Sequence, residues 1–217
     1  MQFSRKHKGF TLIEIAIVLV IIGLLLGGVL QGQQLIENSR VKQAVNHFNG
    51  ISAATFSYQD RYGKLPGDDP GAKLTRGAAW PDANATATSN GAIDASAADT
   101  FAGTGEVATF FQNLRSAGFI AGNPADTGTA ALPQNPFGGV IGITSASVNN
   151  QLNGLKICMS NVNGSSALAL DTDLDDGQVA TGRFRGTDSS AALNTAPAGV
   201  PATNYTEEGI YTICYRM

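Results

Sequence analysis

Two hydrophobic rhythms divide the chain. Residues 10–30 form an unbroken apolar run of 21 residues whose single charge is Glu14. As a helix rising ~1.5 Å per residue, such a run just crosses the ~30 Å hydrocarbon core of a bilayer. Beyond Gln31 the pattern changes. Val41, Val45, Phe48, Ile51, Thr55, Tyr58 and Tyr62 recur in steps of three or four, and Arg40, Lys42, Gln43, Asn46, Gln59 and Asp60 fill the other face. This predicts that the helix continues over 31–62 as an amphipathic half. Its apolar stripe serves as the spine for a packed head, with a partner-binding helix as the alternative. Leu65-Pro66-Gly67-Asp68-Asp69-Pro70 stops it, because the residue before a proline disfavours the helical basin and Pro-Gly favours a turn.

The remaining elements are short. Residues 77–103 are poor in large apolar side chains and read as loop, with at most one helical turn and Trp80 as its anchor to the head. A second helix is predicted over 106–119, with Val107, Phe110, Phe111 and Leu114 on one face. Candidate strands follow at 139–144, 155–159, 183–185 and 210–215, separated by Gly, Pro and Asn. The predicted class is α+β: a long N-terminal helix, half transmembrane and half amphipathic, packed on a small antiparallel sheet.

Charge orients the membrane half. Arg5, Lys6, His7 and Lys8 precede Gly9, and a basic flank holds its end of a membrane helix in the cytoplasm. The rest of the chain is then exported. A cleaved secretory signal has an apolar core of only ~7–15 residues and small residues at the cut, which this run does not match. A plain anchor fits the length but leaves Glu14 unexplained, since a carboxylate in mid-bilayer costs roughly 2.5–3.5 kcal/mol and calls for a partner.

Lys8-Gly9-Phe10-Thr11-Leu12-Ile13-Glu14 and the apolar run behind it resemble the class III signal of type IV pilins and type II secretion pseudopilins. The nine-residue leader and the Phe resemble the type IVa pattern. The resemblance implies a leader over 1–9, a transmembrane and assembly helix over 10–30, the amphipathic half over 31–62 and an exported head over 63–217. It implies cleavage between Gly9 and Phe10 by a prepilin peptidase, N-methylation of Phe10, and a filament contact between Glu14 of one subunit and the Phe10 amine of a neighbour. Pairing neutralises two charges that are costly in an apolar setting, and so sets register. Where many relatives carry a proline near the end of the apolar run, this chain has Gln31. Gly23, Gly27 and Gly28 remain, and local unwinding of the assembled helix is expected around them.

Two cysteines, Cys158 and Cys214, lie on the exported side, where an even count favours a disulfide. Closing a loop of about 57 residues stabilises a fold by roughly 4 kcal/mol on the chain-entropy model. In the resembling pilins such a bridge pins the C-terminal segment to the head. Asp171, Asp173, Asp175 and Asp176 alternate like the start of a calcium loop, but Asp176 and Gly182 stand where an EF-hand has Gly and Glu. A structural calcium of another kind, or a solvated Asp-Asp-Gly turn, are the two readings. Asp68 and Asp69 would add oxygens only if folding brought them close.

The residues exclude more than they assign. There is no G-x-S-x-G, no H-E-x-x-H and no P-loop, and leader removal leaves His47 as the one histidine, so an anchored periplasmic enzyme lacks its bases and ligands. Processing removes Arg5, Lys6 and Lys8 and takes the formal charge from −3 to −6, which does not indicate a nucleic-acid-binding face. Triplets of N-glycosylation form at Asn84, Asn163 and Asn204 are what a chain rich in Ser, Thr and Asn produces by chance. The expected role is a structural subunit of a type IV pilus-like filament, for adhesion, motility or DNA uptake. A type II secretion pseudopilin and a minor tip pilin are the alternatives. Expected partners are further copies of the chain, the prepilin peptidase, an inner-membrane platform protein and, indirectly, an assembly ATPase. The expected location is the inner membrane before assembly and a periplasmic or cell-surface filament afterwards.

Overall fold

The computed structural model describes residues 11–78, 80, 89–148, 152–189, 192–197 and 201–217. Two compact units partition the chain, residues 1–39 and 40–217. Helix α1 spans Leu12–Tyr62. In the first unit every large apolar side chain from Leu12 to Leu30 is exposed, from 92% at Leu12 to 46% at Ile22.

In the second unit, Val41, Ala44, Phe48, Ile51, Ala54, Thr55 and Tyr58 of α1 are buried, with Val45 and Tyr62 packed at the margin. The 3.6-residue rhythm of the sequence is thus the stripe that packs, joined by Ala44 and Ala54, which the larger residues masked. After Tyr62 the chain turns through Gly67, whose φ is +88°; a Cβ there would stand 2.7 Å from the Glu106 carbonyl oxygen, so this approach belongs to glycine. A short helix α2 (Ala72–Arg76) follows, then a 3-10 turn (Ala97–Phe101), the helical turn expected in that loop.

Helix α3 spans Gly105–Ser116, so it ends three residues before the predicted 106–119 does. Gly118 takes φ +77°, and the Phe119 amide donates to the Leu114 carbonyl, closing the helix end in left-handed geometry. Four strands form one antiparallel sheet in the order β1-β2-β4-β3: β1 (Ile141–Thr144), β2 (Lys156–Asn163), β3 (Phe184–Asp188) and β4 (Ile210–Arg216). Phe184 and Tyr215 stand opposite each other in the register, and Phe48 of α1 packs edge-on to both, at 6.0 and 5.6 Å between ring centroids. One sheet face therefore covers the stripe of α1, as expected of a spine for the packed head.

Besides the short α2, a second helix was not foreseen. Helix α4 (Gly164–Leu174) directly follows β2 and buries Ala167 and Leu170. Its sequence, G-S-S-A-L-A-L-D-T-D-L, alternates small and apolar residues and has no wide helical stripe, so its fold comes from packing more than from pattern.

Candidate assembly site

Gly9 and Phe10, the expected cleavage and methylation positions, lie outside the described residues. The described site begins at Thr11. Its hydroxyl and its backbone amide both donate to the same Glu14 carboxylate oxygen, each at 2.8 Å, and the Glu14 amide donates back to the Thr11 hydroxyl at 3.3 Å. This is the reciprocal arrangement of a capping box, with Glu14 in the first turn of α1. The box satisfies amides that a helix start leaves bare, and supplies the carboxylate with two donors inside its own chain. The sequence reading assigned Thr11 no part, although the Thr-x-x-Glu spacing just before an apolar run is the signal that marks such a box.

Downstream of Glu14, the apolar segment has a mean hydropathy of 2.8 over its best 18 residues, none of them buried. An exposed apolar surface of this extent requires lipid or another protein against it.

In the head, Cys158 and Cys214 are bonded, with an S–S distance of 2.08 Å. They stand directly opposite each other on β2 and β4, so the bridge ties the last strand to the middle of the sheet.

The aspartates divide. Asp171, Asp175 and Asp176 each bring a carboxylate oxygen within 4.8 Å of the others. Asp173, expected with them, is exposed on α4 and outside this group. The helix explains it: residues four apart share a face, whereas a residue two along points away. Nor do Asp68 and Asp69 join. Asp69 accepts from Tyr58 and pairs with Arg76 at 2.6 Å, and Asp68 accepts from the Gly91 amide.

Within the group, every carboxylate already serves the turn. Asp171 accepts from the Gly177 amide and the Tyr205 hydroxyl, Asp175 from the Arg183 and Phe184 amides, and Asp176 from the Gln178 amide and the Thr181 hydroxyl. Burial pushes the Asp171 carboxyl up to about 6, against the pull of the Tyr205 and Gly177 hydrogen bonds. Exposed Asp176 is held low by the Thr181 hydrogen bond first. Calcium requires six to eight oxygens. Three carboxylates occupied by protein donors fit a closed turn better than a cation cage.

A family model described as a prokaryotic N-terminal methylation motif matches residues 4–30. The chain carries that motif. The matched segment holds Gly9, Phe10, Thr11 and Glu14, and the whole apolar run to Leu30. It is the class III signal anticipated from Gly9-Phe10 and Glu14. No curated protein matches the chain. A solved structure of the major type IV pilin PilA1 from Clostridium difficile is similar over 83% of this chain and 95% of its own, at 11% identity and a TM-score of 0.37.

Proposed function

We propose that this chain is a structural subunit of a type IV pilus-like filament. The methylation motif supports this reading, and one observation carries it: an exposed apolar helix of membrane length whose single carboxylate, Glu14, is held at its tip. In the proposed cycle the chain resides in the inner membrane with its N-terminus in the cytoplasm. A prepilin peptidase cuts after Gly9 and methylates the amine of Phe10. Glu14 then exchanges its Thr11 donors for the amine of a neighbouring Phe10, which matches two charges in an apolar interior. The exposed apolar side chains pack helix against helix, and the head forms the outer surface. A platform protein and a cytoplasmic ATPase drive the addition. The role is structural, not catalytic.

The test is to shear surface filaments from cells expressing the chain and identify subunits and N-termini by mass spectrometry. The expected result is a fibre dominated by this chain, beginning at methylated Phe10. A processed chain that is absent from sheared fibres would transfer it to the pseudopilin or minor-pilin class. Glu14→Ala should retain processing and lose most filament yield; normal yield would remove Glu14 from the assembly contact.

A further inference from the structure

The head carries opposite charges at opposite ends of one strand. At the far end of β4, Lys156 of β2 stands opposite Arg216. Arg183, one residue before β3, continues the register: the Arg216 amide donates to its carbonyl, and the Arg183 guanidinium donates back to the Arg216 carbonyl at 2.8 Å. Residues opposite each other across a ladder share a face, so Lys156, Arg216 and Arg183 form one lateral row of cations. Among the described ion pairs, none gives this row a carboxylate. Lys156 is buried and donates to the Gly154 carbonyl, while Arg216 and Arg183 are exposed, with Arg183 stacked over Tyr215. Like charges set opposite one another destabilise a sheet, so the row carries a cost that an outside anion would relieve.

At the near end, the Gly209 amide donates to the Thr206 carbonyl, closing a tight turn with Glu207 and Glu208 at its tip. Both are exposed, and neither takes part in a described ion pair. The Thr206 amide donates to the Tyr211 hydroxyl at 2.8 Å, which fixes the turn against β4. Seven residues of strand, about 20 Å, separate the two ends.

We propose that the Glu207–Glu208 turn of one copy of this chain docks on the Arg183–Arg216 row of the next. The contact rests on the filament-subunit reading above. Acidic tip and basic row lie at different places on the head, so the contact is heterologous and leaves a free tip at one end of the series and a free row at the other. Repetition then extends an open filament instead of closing a dimer. Both sides are held by their own hydrogen bonds before contact, which lowers the ordering cost.

Charge exchange in the full-length chain tests it, read as sheared filament yield relative to the membrane pool. Arg183→Glu with Arg216→Glu, or Glu207→Lys with Glu208→Lys, should each lower the yield by about tenfold or more. The four changes together should restore it. Arg216→Glu combined with Glu208→Lys should assemble better than Arg216→Glu combined with Asp173→Lys, which repairs net charge but not the contact. Should the reversals impair folding, read as loss of the Cys158–Cys214 bond, Arg183→Cys with Glu208→Cys replaces them: a bifunctional maleimide should give a ladder of linked subunits in filaments. Wild-type filaments together with undiminished reversal variants, or with no ladder, would overturn the contact alone, whatever else the row binds. Absence of wild-type filaments would overturn the filament reading, and the contact with it.

Discussion

Single residues mark where pattern and three-dimensional environment part company. Lys156 reads in sequence as an ordinary polar position at a strand start, yet it is buried, and burial together with the neighbouring Arg216 charge pushes its amine down to about 8. An unfolded lysine titrates near 10.4, so between about 8 and 10 the unfolded chain binds more protons than the folded one. Stability therefore rises with pH across that window, and the penalty stands in full below it. Lys156→Met is expected to raise stability at pH 7 by an amount of order 1 kcal/mol and to flatten the rise. Denaturant midpoints at pH 7 and pH 9.5, compared between variant and wild type, check both. A variant no more stable at pH 7 would mean that the amine is solvated. The same limit applied at the N-terminus and in the acidic run. Glu14 was legible because a lone charge in an apolar run stands out, whereas its partner Thr11 looked like one more tolerated residue. Asp173 looked equivalent to Asp171 and Asp175 until α4 turned it to the other side.

Elements were legible in proportion to the length of their pattern. The rhythm of α1 runs from Val41 to Tyr62, about six turns, and the four strands were found with ends shifted by up to four residues. Helix α4 was missed because its small and apolar residues set no helical stripe, and α2 because five residues are too few to set a period. The 63–80 segment shows what replaces periodicity there. Arg76 of α2 pairs with Asp69 at 2.6 Å, donates to the Tyr58 hydroxyl at 2.9 Å, and stacks 4.1 Å over the Tyr62 ring and 4.7 Å over that of Trp80. Trp80 thus anchors its loop as expected, but through an arginine that no spacing announced. Arg76→Ala removes the cation from the buried Asp69 carboxylate and leaves it the Tyr58 hydroxyl, which should cost about 3 kcal/mol, measured by thermal or denaturant melting of the full-length chain in detergent. Arg76→Lys keeps the charge but not the planar stack, so it should recover only part of that loss. Equal stability of the Ala variant and wild type would mean the latch contributes nothing net. Across the sheet, Cys158→Ser with Cys214→Ser should lower stability by about 2–5 kcal/mol, because β4 is the last strand and the bridge closes a long loop.

For the molecule as a whole, the proposed filament asks the apolar half of α1 to exchange lipid for other helices. In the single chain the helix passes through Gly23, Gly27 and Gly28 without a break, so the unwinding expected around them belongs to the assembled filament. Each glycine leaves helix about 1 kcal/mol less favourable than alanine does, and a Cβ added at Gly27 or Gly28 meets nothing within 4 Å. Gly27→Ala with Gly28→Ala should therefore leave membrane level and N-terminal processing unchanged, while making local melting about 2 kcal/mol harder. If the filament needs an unwound stretch to bring Glu14 beside a neighbouring Phe10 while the heads stay in register, the double variant should lose filament yield several-fold. A density map of wild-type filaments should then show extended backbone near Gly27. Full yield from the variant, with continuous helix in the map, would mean that the glycines serve close helix packing instead. In that case larger replacements such as Gly27→Leu, and not alanine, should be the ones that block assembly.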